Sequence, residues 1–510
     1  MDSKRLKKHS SPAAAPSAEG KGYGDTSAVI DLRPVLLVIG FLLTILSVGM
    51  LVPAMVDLMM SNADWQAFAW SGGLGVFLGL VLVFSNASGR VTINVRQAFL
   101  LVVATWVVLP AFAAVPFTLA DPGLSYTDAF FEAMSGVTTT GATVMVGLDT
   151  QPPGILLWRA ILQWLGGLGI IVMALTVLPM LKVGGMQMFK VEAFETQEKI
   201  YSRATQLATA LTVVYGGLTL IWMFMLWAAG MTFLDALAHS MTTIATGGYS
   251  TRDASVGYYN SGLIDAIITV GMAAGGVPFL LFLQALRGRP MRLWQDSQVR
   301  WYISILGGFT VVVAWWLWQM RGFDALQALR YSSFNVVSVM TGTGYATTDY
   351  NGWGGFPVAA LFLLMFVGGC AGSTSCGIKV FRFQILYEAA KIQLGRLLQP
   401  HAVFIPYFNG RPIQAGVSEA VMGFFFLYLL TVALLTMALG LLGLDLVTAL
   451  SGAATAVSNV GPGLGPIIGP AGNFSTLPDM AKWLLALGML LGRLEIYTVL
   501  VLLVPRFWKG

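Results

Sequence analysis

Long apolar runs separated by short polar breaks dominate the chain. Residues 35–60, 67–85, 97–119, 155–181, 205–229, 262–286, 301–320, 357–381, 419–443 and 482–505 each approach the roughly 20 residues a helix needs to cross a bilayer. Ten spans are predicted. Between some of them lies a second kind of stretch, helix-like but too short to cross: "YTDAFFEAMSG", "FLDALAHSMTT", "LRYSSFNVVSV" and "LDLVTALSGAATA". Each runs into a polar, glycine-bearing segment: "GVTTTGATVM" at 136–145, "TTIATGGYST" at 242–251, "VMTGTGYATT" at 339–348 and "VSNVGPGLGP" at 457–466. The unit is helix, half-helix, polar loop, helix, and it occurs four times. With Gly141, Gly247, Gly344 and Gly461 as the matching glycines, the spacings are 106, 97 and 117 residues, too long for a solenoid repeat.

A single loop of this kind reads as a turn. Four at the same place in a repeated unit read as a lining, because extended chain at membrane depth exposes carbonyls that hydrocarbon cannot satisfy. Loops meeting on a pseudo-fourfold axis would present rings of backbone carbonyls, aided by Thr hydroxyls, that replace the hydration shell of a monovalent cation. Glycine is needed where consecutive carbonyls can face one axis only if a residue takes positive φ.

Composition agrees with a polytopic membrane protein: 56% of residues are hydrophobic and 10% charged, with a mean hydropathy of +0.75. The net charge of +5 is unevenly distributed. With the amino terminus inside, only Arg159, Arg252, Arg321, Arg330 and Lys482 fall on the outer side, so both termini are expected in the cytoplasm. The basic excess then reports orientation and implies no nucleic-acid partner. Residues 1–34 read as a disordered basic tail. Cys370 and Cys376 lie in one glycine-rich segment, and His9, His239 and His401 are scattered, which gives neither a disulfide framework nor a metal site. No cofactor is expected.

Two further features carry chemistry. "VGGCAGSTSCGIKVFR" at 367–382 places Gly368, Gly369, Gly372 and Gly377 with Ser373 and Thr374 inside a span, and Lys379 follows. Each interior glycine weakens a helix by about 0.5–1 kcal/mol, so the segment is expected to break and to act as a gate; close helix packing through small residues is the alternative. Arg493 falls within the last predicted span, where an arginine is costly unless it faces water or a partner. Glu495, two residues away, cannot face it along a helix, leaving a pore barrier or an ion pair with another helix. Glu132 and Asp128 read as outward-facing charges that attract cations or cap the half-helix.

The four loops and the motifs "FEAMSGVTTTGAT", "WLGGLGIIVMALTVLP", "ATGGYST", "TGTGYATTDY", "GGCAGSTSCGIKVFR", "SNVGPGLGP" and "LLGRLEIYTVLVLLVPRFW" resemble the Trk/Ktr/HKT superfamily of potassium transporters, and the bacterial Trk membrane subunit most closely, from residue 35 to 506. The resemblance implies an all-α fold of four pseudo-repeated units around a central pore (96–185, 201–287, 300–396 and 415–506), preceded by two transmembrane helices in 35–90. It implies potassium uptake through a channel-like pore in the bacterial inner membrane, a homodimer, and gating by a cytosolic nucleotide-binding subunit. Carried over by position, ion-coordinating carbonyls belong to Thr139 and Thr140, Ala245 and Thr246, Gly342 and Thr343, and Asn459 and Val460, before Gly141, Gly247, Gly344 and Gly461. In plant relatives a serine at the first filter glycine accompanies sodium transport, so Gly141 implies potassium. The resemblance makes 368–377 an intramembrane loop below the filter and Arg493 a positive barrier there; Cys376 departs from the family pattern, which has glycine. A proton- or sodium-coupled symporter stays open beside the gated pore, although it lacks a predicted intramembrane carboxylate for coupling. An intramembrane enzyme finds no supporting motif.

Overall fold

The computed structural model describes residues 30–87, 93–176, 185, 197–414 and 416–509. Most of the predicted tail, and Arg90, Lys182 and Lys190, lie outside them. The chain is helical: α1 (Arg33–Gly49), α2 (Leu51–Met59), α3 (Trp65–Asn86), α4 (Val95–Ala113), α5 (Val115–Leu119), α6 (Tyr126–Val137), α7 (Pro153–Thr176), α8 (Gln197–Ala228), α9 (Phe233–Ile244), α10 (Gly262–Gly275) and α11 (Phe279–Leu286) make up its first half. The second half holds α12 (Arg292–Gln295), α13 (Ser297–Arg321), α14 (Ala325–Thr341), α15 (Gly355–Leu364), α16 (Val380–Leu398), α17 (Val417–Leu441), α18 (Leu446–Ser458), α19 (Gly465–Ile468), α20 (Asp479–Arg493), α21 (Tyr497–Leu503) and α22 (Pro505–Lys509). The only sheet among the described residues is a hairpin of Tyr407–Phe408 and Arg411–Pro412.

Seven of the ten predicted spans are long apolar helical segments: Arg33–Met59, Trp65–Asn86, Val95–Leu119, Pro153–Ala174, Gln206–Ala228, Ser297–Arg321 and Val417–Leu441. The other three are not continuous. Residues 262–286 bend by 98° between α10 and α11, where Pro278 removes a backbone donor and disfavours the helical conformation of the residue before it. Residues 482–505 bend by 111° between α20 and α21, through left-handed Glu495 and Ile496 (φ 63° and 44°). Nothing at 494–496 is proline or glycine, so the pattern of residues does not announce this bend. Arg493 therefore ends a helix instead of standing mid-span. The third, 357–381, breaks between α15 and α16, as its glycines predict.

The half-helices α6, α9, α14 and α18 each start on a side-chain cap: Ser125, Thr232, Asp324 and Asp445 accept from the backbone N–H groups of Asp128, Asp235, Leu326 and Thr448. Such caps satisfy donors that the first turn leaves unpaired. Their opposite ends are buried: 134–137, 242–244, 336–341 and 451–458 are buried throughout. α20 of the fourth unit packs on α6 of the first, closing the arrangement. The amino-terminal helices dock outside it. α1 and α3 cross closely, a Cβ on Gly40 lying 2.8 Å from the Gly79 oxygen, and Asp57 accepts from Gly154 N–H at the start of α7 (2.8 Å).

Candidate functional site

All four half-helices end alike. A left-handed residue follows the last turn, at Thr139 (φ 54°), Thr246 (50°), Gly342 (74°) and Asn459 (52°). The next residue returns its N–H to the carbonyl five positions back: Thr140 to Ser135 (2.8 Å), Gly247 to Thr242 (2.8 Å), Thr343 to Ser338 (2.9 Å) and Val460 to Thr455 (3.1 Å). This is the Schellman closure of a helix. The chain then turns left-handed again at Gly141 (84°), Gly248 (79°), Gly344 (82°) and Gly461 (105°).

That shared geometry corrects the predicted register of the second loop. Gly248, not Gly247, matches the other three glycines, and the two residues before it are Thr246 and Gly247. Ala245 is a right-handed helix cap (φ −71°) and stands one place too early. Two adjacent glycines in "ATGGYST" obscured the register; φ resolves it, in agreement with the Gly–Tyr pair that Gly248–Tyr249 shares with Gly344–Tyr345.

The four loops form a closed ring. A Cβ placed on Gly141 would lie 2.2 Å from the Gly247 oxygen; on Gly248, 1.8 Å from the Thr343 oxygen; on Gly344, 2.1 Å from the Val460 oxygen; and on Gly461, 2.9 Å from the Thr140 oxygen. Each unit thus sets its glycine against the equivalent carbonyl of the next, and the fourth returns to the first. No side chain fits in that approach.

Behind the ring lies a polar layer that the sequence reading misplaced. Glu132, predicted to face outward, is fully buried and pairs with Arg159 (2.8 Å). Arg159, assigned to the outer side, is buried within α7, donates to the Ser250 carbonyl (2.8 Å), and stacks over the Tyr249 ring at 4.1 Å. The signal was its place inside a predicted span, where a charge demands a partner. Asp128 pairs with Lys482 (2.5 Å) across the first and fourth units. One turn along α7 from Arg159, Gln163 donates to the Gly247 carbonyl (2.6 Å) and accepts from Tyr249 N–H (3.0 Å). Sequence reasoning did not single it out.

The segment between α15 and α16 folds beneath the ring. Gly372 and Gly377 take φ of 78° and 68°, and a Cβ on Gly368 would lie 1.8 Å from the Cys376 oxygen. The bend between α10 and α11 supplies its partners: Cys370 N–H bonds to the Gly276 carbonyl (2.9 Å), Thr374 N–H to Gly275 (3.2 Å), and Phe279 N–H to Gly372 (3.0 Å). Backbone groups freed by two broken spans satisfy one another, the condition for irregular chain at this depth. Within the segment, Ser373 Oγ bonds to the Cys370 carbonyl (2.6 Å), Gly369 N–H to Ser375 Oγ (2.8 Å), and Lys379 Nζ to the Ser375 carbonyl.

Cys376 joins this segment to the ring, its Sγ 3.6 Å from Thr139 Oγ1. Arg493 Nη1 reaches the same Sγ (2.6 Å) and the Thr374 carbonyl (3.3 Å), and Nη2 reaches the Gly166 carbonyl (3.4 Å). Arg493 has no carboxylate partner among the described residues. The interhelical ion pair considered for it belongs instead to Arg382 and Glu495, where Arg382 is fully buried.

Comparison with known proteins accords with this architecture. The profile of the TrkH family, described as a cation transport protein, matches residues 65–509. The Trk system potassium uptake protein TrkI of Halomonas elongata is 44% identical, the alignment covering 95% of this chain and 99% of that protein. TrkH of Escherichia coli K12 is 38% identical over 94% and 100% respectively. The crystal structure of the potassium transporter TrkH from Vibrio parahaemolyticus superimposes with a TM-score of 0.87 at 38% identity, covering 94% of this chain and all of that one.

Proposed function

Because the chain belongs to the TrkH family of cation transport proteins, we infer that its four-loop ring is a selectivity filter and the segment below it a gate. The protein is a multi-pass potassium-uptake transporter of the Trk type and not an enzyme. Filter carbonyls come from Thr139 and Thr140, Thr246 and Gly247, Gly342 and Thr343, and Asn459 and Val460. The observation that carries this reading is the closed succession of glycine-to-carbonyl approaches around the four units: carbonyls held in a ring can replace a cation's hydration shell.

In this reading the 365–379 segment and Arg493 control passage beneath the filter. Their support is the contact of Cys376 with both Thr139 and Arg493, which couples any movement of the segment to the ring. Both termini in the cytoplasm follow from the distribution of basic residues, and burial of Arg159 and Lys482 removes two of the five outer exceptions. A homodimer gated by a cytosolic nucleotide-binding subunit belongs to the same proposal and rests on the family resemblance. Expression in cells lacking potassium uptake should restore growth at low external potassium, and the reconstituted protein should pass ohmic single-channel currents. Rescue by sodium alone would refute the filter assignment, and measurable uptake without currents would replace the pore by a carrier.

A further inference from the structure

The ring is fourfold in its backbone but not in what stands behind it. Gly166, Gly275 and Gly492, on α7, α10 and α20, approach equivalent points of their own half-helices: added Cβ atoms would lie 1.9 Å from the Val137 oxygen, 3.2 Å from Ile244 and 2.0 Å from Val457. Each of these carbonyl residues stands two places before the left-handed residue of its loop. The glycines are therefore equivalent, and the residues three places before them are Gln163, Met272 and Met489. All three are buried. Two units offer thioethers at this position, and the first offers an amide.

The amide meets the one loop that has room for it. Where the other loops carry Thr140, Thr343 and Val460, the second carries Gly247; a Cβ there would lie 2.4 Å from both Cδ and Oε1 of Gln163. The amide group occupies the side-chain space that Gly247 leaves vacant. Its orientation is dictated by its partners, since the Gly247 carbonyl can only accept and Tyr249 N–H can only donate. Its two bonds grip the residues on either side of Gly248, the ring glycine of that loop.

We propose that Gln163 is a specificity-determining positioning residue, which holds the Gly247 carbonyl in the ring and makes the second unit's oxygen unlike the other three. An accepted N–H leaves this carbonyl a second lone pair, so it can still face a cation, but at a fixed position. Without the amide the loop keeps its helix closure and loses its lateral hold. The carbonyl then adapts to a smaller ion, and discrimination against sodium falls. This rests on the filter reading above.

The test is Gln163→Met, which gives the first unit the residue found in the second and fourth. Paired rubidium and sodium uptake into liposomes, per folded protein, should show rubidium uptake within about threefold of the parent. The rubidium-to-sodium ratio should fall about three- to tenfold, the effect expected for one lost hydrogen bond. Gln163→Leu, which is close in size and can neither donate to the Gly247 carbonyl nor accept from Tyr249 N–H, should fall likewise and serves if the methionine variant folds poorly. Gly247→Ala should also lower the ratio in the parent, and much less so in a Gln163→Ala background, because the collision it creates is with the amide.

Gly141→Ser is the control for the filter itself. If it shifts the ratio while Gln163→Met does not, the proposal is overturned and the filter stands. A drop in melting temperature with an unchanged ratio makes Gln163 a strut and also overturns it. If neither substitution moves the ratio, the filter reading falls and this proposal with it.

Discussion

Alanine at each ring glycine makes a graded test of the ring. The added Cβ would stand 1.8 Å from the Thr343 oxygen at Gly248, 2.1 Å from Val460 at Gly344, 2.2 Å from Gly247 at Gly141, and 2.9 Å from Thr140 at Gly461. Carbon and oxygen make ordinary contact at well over 3 Å, so the first three substitutions require a filter carbonyl to retreat by roughly 1 Å, and the fourth by a few tenths of that. A left-handed conformation adds about 1–2 kcal/mol for any residue with a Cβ, and the φ values of 79°, 82° and 84° make this similar at the first three sites. Differences among them then reflect collision. Selectivity for rubidium over sodium should fall most at Gly248, about equally at Gly344 and Gly141, and least at Gly461. At Gly461 a φ of 105° should lower the melting temperature more than the flux ratio. The assay is dual-isotope uptake into liposomes, with thermal melting of the same preparations. If Gly248→Ala and Gly461→Ala both keep the parental ratio at near-parental stability, the glycines do not border the ion path and the ring is only a packing motif.

Arg493→Ala should raise basal rubidium uptake, since it removes a positive charge and frees the segment at Thr374 and Cys376; uptake at or below the parental level excludes a barrier. Arg382→Ala strands the buried Glu495 and should lower stability by roughly 3–5 kcal/mol, measured by thermal melting. Arg493→Ala should lower it less, because it strands no carboxylate among the described residues. Gly368→Ala drives a Cβ to within 1.8 Å of the Cys376 oxygen and should displace the segment, changing opening and leaving ion preference intact. A changed ion preference with normal opening would move that segment into the filter.

The repeated unit was legible because three signals coincide: apolar spans, a helix-like stretch too short to cross between them, and glycine where the chain must turn left-handed. The break at 365–379 was legible for the same reason, four glycines within ten residues. Local pattern fails where structure depends on distant partners. Gly247 and Gly248 adjoin in the sequence, and the bond from Gly247 to Thr242, the positive φ of Gly248 and its approach to Thr343 tell them apart. Glu132 and Arg159 looked like surface charges because each was judged alone; 27 residues apart in sequence, they neutralise one another in the interior. The bend at Glu495 has no local cause at all. It accompanies a salt bridge to Arg382, 113 residues away.

The caps on the half-helices lie at the ends remote from the ring, so all four helices direct their carboxyl ends toward it. Aligned peptide dipoles leave roughly half an elementary negative charge at each such end, or about two charges converging on one point of low dielectric. The residues of the ring are Thr, Gly, Asn and Val, none of which titrates in water's ordinary range. In the proposed filter, the attraction for a cation would therefore come from backbone alone, and protons could not abolish it as they would a ring of carboxylates. The same field bears on Arg493. In the filter reading, the Arg493 guanidinium, buried with no carboxylate partner among the described residues, would share that negative potential with an entering cation.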